Sequence, residues 1–336
     1  MKIKKSYQIK SGTALALFSG GLDSILAVRI IQKLGITIIP VCFSSPFFDC
    51  KKAKISSEIL DLELQTYELG EEYLNIIKNP KYGYGKHLNP CIDCHAFMYR
   101  KLGEMMSAFK SDFLISGEVL GQRPKSQSIT GLNTVAKHCG YKNIIVRPLC
   151  QKLLQDTKPI REGWINKDEL YDIQGKSRKR QIELAKEFKI TNYPSPAGGC
   201  LLTDEGYCKK LNDLIIYDMF SLKYIKFLNV GRHFRVSENT KFILGRKKID
   251  NDKLQELITD DLFTIRAVNF PGPLGVINYN SKVNIEEVEL CAKILLRYIT
   301  KIKDRTKVRI SIGNKQNRII EEKKIEAGLE KNYLIN

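Results

Sequence analysis

The chain has 336 residues, enough for two or three domains, and 43% of them are apolar, enough for real hydrophobic cores. It contains no run of about 18 apolar residues, and no apolar secretory core follows its basic start, Met1–Ser6. A transmembrane helix is therefore not expected, and a cytoplasmic protein is. The formal net charge of +18, from 55 Lys+Arg against 37 Asp+Glu, suits a polyanionic partner such as nucleic acid, although lysine-rich composition throughout a proteome gives the same excess. Nine cysteines, an odd count, argue for metal ligands or reactive thiols rather than a disulfide framework.

The first part of the chain alternates strand and helix patterns. An apolar strand is expected over Thr13–Ser19, a helix over Ser24–Lys33, a buried strand over Ile36–Phe43, a helix over Ala53–Leu60 and a strand over Glu63–Leu69. A long helix over Ile92–Phe109 follows, then strands at Asp112–Ser116 and Asn143–Leu149. Strands separated by helices predict an α/β domain with a doubly wound parallel sheet, whose ligands lie at the carboxyl ends of the strands. Residues 152–189 read as charged and helical, and Tyr193–Cys200 as a Pro/Gly loop before a helix at Tyr207–Tyr217. Beyond residue 220 the pattern changes to short strands at Arg232–Val236, Lys241–Leu244, Leu262–Ala267 and Gly275–Asn278, a helix at Ile285–Ile299 and a basic strand at Lys307–Ser311. Two domains are expected: an ATP-binding domain over 1–220 and a smaller basic α+β domain over 221–336.

Ser19-Gly20-Gly21-Leu22-Asp23-Ser24 stands between the first strand and the first helix. Glycines there let backbone amides approach an anion, and the helix start adds its positive end. Ser19 and Ser24 can donate to phosphate oxygens, while Asp23 suits Mg²⁺ or a capping role. No lysine follows, so this is not the common nucleoside-triphosphatase loop. The six residues resemble the PP-loop of N-type ATP pyrophosphatases, of the adenine nucleotide alpha hydrolase-like fold. That resemblance implies that the loop holds the β,γ-pyrophosphate of ATP while the α-phosphorus is attacked and the substrate becomes adenylated. Phe43 on the second strand, and Gly117, Gln122 and Arg123 within Gly117-Glu118-Val119-Leu120-Gly121-Gln122-Arg123, lie at the expected ligand edge and are further nucleotide-binding candidates.

Asn89-Pro90-Cys91-Ile92-Asp93-Cys94-His95 puts two thiols about one turn apart, and Cys200 sits in a Gly-Gly loop far downstream. Three cysteines can hold a [4Fe–4S] cluster with one iron open. A structural zinc completed by His95 or Cys208 is the alternative, as are a redox pair at Cys91 and Cys94 and a persulfide carrier on Cys94, Cys200 or Cys50. With the PP-loop, the cysteines resemble the cluster-dependent branch of tRNA thiolation enzymes. The segment from Leu15 to Tyr217 resembles the adenylating domains of ThiI-type 4-thiouridine synthetases and MnmA-like 2-thiouridylases. Asn89-Pro90-Cys91 and Pro196-Ala197-Gly198-Gly199-Cys200 carry that likeness further. The tail, through Val230-Gly231-Arg232-His233-Phe234-Arg235 and Leu244-Gly245-Arg246, resembles the NFACT RNA-binding domain. The PP-loop begins within 20 residues of Met1, so the THUMP domain of a full ThiI is not expected, and no rhodanese-like domain is visible. The basic tail is expected to take over tRNA docking.

The resemblance implies an ATP-dependent tRNA sulfurtransferase, with Asp23, Cys91, Cys94 and Cys200 as catalytic residues and a cysteine desulfurase or free sulfide as sulfur donor. RNA contacts are expected from Arg178, Lys179 and Arg180, and from Arg232, Arg235, Arg246, Lys247 and Lys248. Each of these sets reads equally well as a solvated face. Phe47, Phe48 and Cys50 are candidates for the base pocket, whereas Cys42, Cys139, Cys150 and Cys291 read as small apolar core residues. Two other classes stay open: a PP-loop ligase or amidotransferase on a small substrate with a structural zinc, and a catalytically silent RNA-binding protein.

Overall fold

Thr13–Leu17 (β1) carries apolar side chains on both faces, so it can lie only in the middle of a sheet covered on both sides. In a computed structural model, which describes residues 12–195, 199–279, 284–312 and 315–335, it does so. Pro196, Ala197 and Gly198 of the expected loop lie outside the described residues. Parallel neighbours flank β1: β2 (Thr37–Ser44) and then β3 (Gln65–Glu68) on one side, β4 (Phe113–Ser116) and then β5 (Ile145–Val146) on the other. Leu15 pairs with Ile39 of β2 and with Leu114 of β4. The chain works outward through β2 and β3, then returns to the far side of β1. The loops after β1 and β4 therefore meet at the topological switch point, where open α/β sheets bind ligands.

The helices of this unit are α1 (Leu22–Lys33), α2 (Lys51–Ile59), α3 (Glu71–Lys78), α4 (Cys91–Glu104), α5 (Ile129–Cys139), α6 (Lys158–Arg161) and α7 (Lys179–Glu187). The core joins Leu22, Leu26 and Ile30 of α1 to Phe113, Ile115 and Val146 of the sheet and to Leu184 and Ala185 of α7. α3 and α5 were not expected from the sequence. α3 buries Tyr73, Leu74 and Ile77 on one stripe, and α5 starts on Ser128, whose hydroxyl accepts from the Gly131 amide at 3.0 Å. The expected strand Asn143–Leu149 shrinks to the two residues of β5. Pro148 has no amide to extend the ladder. Residues 152–189 are not continuously helical. They double back along 148–152, with the Tyr171 amide on the Pro148 carbonyl (2.9 Å) and the Ile173 amide on that of Leu149 (2.8 Å).

The chain divides into two compact units, up to Thr203 and from Asp204. The second begins earlier than the expected residue 221, because α8 (Glu205–Ile216) belongs to it. α9 (Leu222–Ile225), β6 (Arg232–Arg235), β7 (Thr240–Leu244), α10 (Lys248–Leu257), β8 (Phe263–Ala267), β9 (Gly275–Tyr279), α11 (Ile285–Arg297), β10 (Thr306–Ile312) and β11 (Lys315–Glu322) follow. The strands form one antiparallel sheet in the order β11-β10-β8-β9-β7-β6. α11 packs Cys291 and Leu295 against Phe234, Phe242 and Ile277 on one face. Leu254 of α10 and Phe227 cover Ile243 and Val276 on the other.

α8 buries Tyr207, Leu211 and Leu214, and charge ties it to this sheet as well. Asp213 takes two bonds from Arg235 (Nε–Oδ1 2.9 Å, Nη2–Oδ2 2.6 Å) and one from the Lys241 ammonium. Lys241 is fully buried. Burial pulls it down to about 8, the attraction of Asp213 notwithstanding. Removing one partner of such a knot leaves charge stranded in the interior. Asp213→Ala is expected to destabilise the second unit by about 3–5 kcal/mol, read as a lower denaturant midpoint.

Candidate active site

The loop after β1 is built with no spare room. Gly20 has φ +71°, and a Cβ there would collide with the Lys52 carbonyl of α2. The Gly20 carbonyl accepts from Ser56 Oγ at 2.8 Å, so α2 grips the loop from outside. From the β4 side, a Cβ on Gly117 would come within 2.7 Å of the Ser24 backbone. Ser24 Oγ donates to the Gly21 carbonyl (2.8 Å) and lies 3.4 Å from Ser19 Oγ. No side chain caps the start of α1. Backbone amides, two hydroxyls and a helix N-terminus thus face one spot at the switch point, the arrangement an anion needs.

Asp23 is held in place by the loop after β4. Gln122 Nε2 donates to its Oδ2 at 2.8 Å, and Arg178 Nη2 lies 3.8 Å from the same oxygen. Burial raises the Asp23 carboxyl above its usual range, and the bond from Gln122 and the charge of Arg178 oppose that only in part. Its Oδ1 is buried without a partner. Arg178 was expected at an RNA surface with Lys179 and Arg180. It sits instead at the phosphate loop, because the Gly175 amide bonds the Leu120 carbonyl (2.7 Å) and lays residues 174–178 along 120–122. Lys179 is exposed, and Arg180 is occupied by Glu183 (3.2 Å) and Glu187 (3.0 Å) while covering the Tyr171 ring.

α4 runs back towards β4, so its first turn also lies at the carboxyl edge of the sheet. Cys91 and Cys94 occupy that turn on one face. Asn89 Nδ2 donates to Cys91 Sγ (3.2 Å), and the buried Tyr73 hydroxyl lies 3.1 Å from Cys94 Sγ. Asp93 accepts the amides of Lys81 and Tyr82 (3.1 and 3.0 Å), fastening the preceding loop over the helix start. Burial pushes the Cys94 thiol up to about 12; the Tyr73 hydroxyl opposes this, and Cys200 and Cys91 add to it. Cys200 is thereby placed with the other two, and its neighbour Leu201 bonds the Phe47 carbonyl through its amide (3.1 Å). Among the described residues, no group of three or more His, Cys, Asp or Glu side chains is placed so as to hold a metal ion.

Between loop and cysteines stands Glu118, unnoticed in the sequence as a chemical group. It is buried, with His95 Nδ1 at 2.8 Å, Arg147 Nε at 3.0 Å and Ser116 Oγ at 3.1 Å. Tyr99 of α4 bonds the same serine. Burial alone would raise this carboxyl; Arg147 and His95 outweigh it and hold it down at about 2. No spacing rule points to Glu118, Arg147 or Tyr73, which meet only in the folded chain.

The other expected residues divide. Phe43 is buried in β2 with its ring against Tyr67, Phe47 is buried beside Tyr73, and Phe48 meets Tyr73 edge-on. Cys42, Cys139, Cys150 and Cys291 are buried, as expected of small apolar residues, and Cys50 is buried against Cys42. Arg123 is exposed and close enough to favour the Asp23 charge. Arg235, expected to meet RNA, is taken up by Asp213. Arg232 lies over the Tyr298 ring at 4.7 Å, Arg246 bonds Asp250 at 2.8 Å, and Lys247 and Lys248 are exposed at the start of α10.

Residues 9–157 match the family model described as "Thiamine biosynthesis protein (ThiI)", and residues 231–333 match "NFACT protein RNA binding domain". The chain is 32% identical over 122 residues to a "Probable tRNA sulfurtransferase" of Methanosarcina mazei, covering 33% of this chain and 29% of that protein. A protein of the same name from Methanothermobacter thermautotrophicus is 28% identical over 149 residues, covering 41% of this chain and 36% of that one. This chain therefore spans about a third of the length of these curated relatives. A solved 4-thiouridine synthetase in complex with RNA and bound ATP aligns over 53% of this chain and 52% of its own at 18% identity, with a TM-score of 0.33. Among the described residues no helix is long and apolar enough to cross a membrane.

The Glu118 carboxyl lies at about 2 in the fold, below its ordinary 4.5. Its contribution to stability is therefore complete above pH 4.5 and is lost as pH falls from there towards 2. Glu118→Gln should flatten that acid limb. It should also cost about 3–5 kcal/mol at pH 7, because Arg147 stays buried without its counter-charge. Denaturant midpoints measured against pH check both.

Proposed function

We propose that this chain, in which residues 9–157 form a ThiI-type domain and residues 231–333 an NFACT-type RNA-binding domain, is an ATP-dependent tRNA sulfurtransferase of the cytoplasm. One observation supports the reading: the phosphate loop Ser19–Ser24 and the helix turn bearing Cys91 and Cys94 both lie at the carboxyl edge of one parallel sheet, and Cys200 is close enough to Cys94 to act on its charge. An adenylating ligase needs the loop and has no use for three converging thiols. A silent RNA-binding protein needs neither.

In this reading ATP, with Mg²⁺, places its pyrophosphate on the amides of Gly20 and Gly21 and the hydroxyls of Ser19 and Ser24. A base carbonyl oxygen of tRNA attacks the α-phosphorus, and pyrophosphate leaves against the helix N-terminus. Sulfur then attacks the activated carbon and AMP departs. Free sulfide supplies that sulfur directly; a cysteine desulfurase supplies it as a persulfide, whose outer sulfur reaches the sulfide level when thiols reduce it and are themselves oxidised to a disulfide. The three thiols suit a [4Fe–4S] cluster with one open iron; a closed zinc site would need a fourth ligand such as His95 Nε2, whose ring Glu118 holds through Nδ1. Such a cluster, held by Cys91, Cys94 and Cys200, would supply one open iron able to carry sulfide. Tyr73 and Asn89 orient two of the sulfurs by hydrogen bonding, and Glu118 keeps His95, and with it the start of α4, fixed beside the loop.

For the tRNA, the exposed face of β10 and β8 in the second unit is a better surface than most of the residues expected from sequence. On β10, Lys307 and Arg309 point out while Val308 and Ile310 point into the core, and Arg309 lies directly opposite the exposed Arg266 of β8. Like charges facing each other across strands disfavour the sheet. A polyanion lying over them would relieve that repulsion.

Release of AMP and pyrophosphate should depend on tRNA, and Cys200→Ala should abolish thiolation and the AMP release coupled to it while pyrophosphate release in the adenylation step persists. Iron and acid-labile sulfide at about four each per chain after anaerobic purification is the expected metal content; one zinc without iron would sink the cluster. Arg266→Glu with Arg309→Glu should weaken tRNA binding and reduce the salt slope by about 1–2, each lost duplex phosphate contact being worth about 0.9.

A further inference from the structure

The segment Ser177–Arg180, read from sequence as an RNA contact or a solvated face, leads into a buried polar junction on the phosphate loop. Gln181 is fully buried in the first turn of α7. Its Nε2 donates to Gln122 Oε1 at 3.2 Å, and Gln122 Nε2 donates in turn to Asp23 Oδ2 at 2.8 Å. The relay leaves three buried atoms without partners: Gln181 Oε1, Asp23 Oδ1 and Arg178 Nε. Interior polar atoms are nearly always paired, and leaving one unpaired costs about 1–3 kcal/mol. Three of them collected beside an anion-binding loop call for a ligand.

Their chemistry specifies it. Two are oxygen acceptors, which a divalent cation or its water shell would satisfy. The third is a guanidinium donor, which a phosphate oxygen would satisfy. A metal-bound pyrophosphate brings both together. Arg178 Nη2 stands 3.8 Å from Asp23 Oδ2, beyond a good hydrogen bond, so the guanidinium is near the loop without being consumed by the carboxylate. α7 also packs along α1, so its N-terminal turn and that of α1 serve one site.

We propose that Arg178 and Gln181 complete the nucleotide site as its pyrophosphate clamp: Arg178 binds the β,γ-phosphates directly, and Gln181 is a positioning residue that sets Gln122 and Asp23 for the accompanying cation. This rests on the adenylation reading and gives α7 a part in it. In this assignment the AMP half of the nucleotide meets neither residue. Loss of either should therefore fall on the pyrophosphate half alone, which a merely structural role would not do.

The test is calorimetric titration of the full chain with magnesium pyrophosphate and, separately, with AMP. Arg178→Ala should weaken magnesium pyrophosphate at least tenfold and leave AMP within twofold. Arg178→Lys should recover part of the loss, and Gln181→Ala should give a smaller loss of the same kind. Unchanged pyrophosphate affinity in Arg178→Ala, or equal losses for both ligands in Arg178→Ala and Arg178→Lys, overturns the assignment while the adenylation reading stands. Selective pyrophosphate loss in a chain that thiolates no tRNA sustains the clamp and sinks the sulfurtransferase reading. A wild-type chain that does not bind magnesium pyrophosphate overturns both.

Discussion

The first unit turns on one ionised carboxylate. Glu118 stands where β4 ends, and from there it reaches α4 through His95, the strand edge through Ser116, and the segment after β5 through Arg147. These elements come from distant parts of the chain, and the pairing of β4 with β5 and the bond from Tyr99 of α4 to Ser116 fix the same edge. A buried carboxylate with a guanidinium and an imidazole on it has few alternative partners, so the arrangement is specific even where its net stabilisation is modest. Through it the cysteine-bearing helix is tied to the end of β4.

The loop itself depends on tightness of another kind. Gly20 lies against α2 and Gly117 against the start of α1, each at a distance that admits no side chain. The sheet thereby delivers backbone rather than side chains to the anion, which suits a group whose charge must be held and then released. The Asp23–Gln122–Gln181 relay adds side chains only at the rim of this cradle.

Much of this was legible in the sequence. The apolar runs of β1, β2 and β4 and the Ser-Gly-Gly-x-Asp-Ser punctuation located the sheet and its loop, because buried parallel strands and anion cradles have few alternative compositions. Cys91, Cys94 and Cys200 could be singled out by residue type, though their convergence needs the fold. Residues 152–189 misled, since charged helix-forming residues there follow tertiary pairing with 148–152 rather than local propensity. Basic residues misled more. Arg178, Arg180 and Arg235 look alike in sequence, yet one faces the phosphate loop, one lies across two glutamates and a tyrosine, and one is locked on Asp213. Charge counts carry no information about which cations already have partners.

The Asp213 knot bears on how such a chain can be taken apart and reassembled in evolution. Lys241 and Arg235 sit in the sheet, but the anion that neutralises them arrives on α8, before the sheet begins. A recombination joint placed at the apparent change of pattern near residue 221 would separate the cations from their anion and leave the transferred piece carrying two unmatched charges. A joint at Asp204 moves the helix with the sheet. The inheritable module is thus defined by its electrostatic closure rather than by where its strands start.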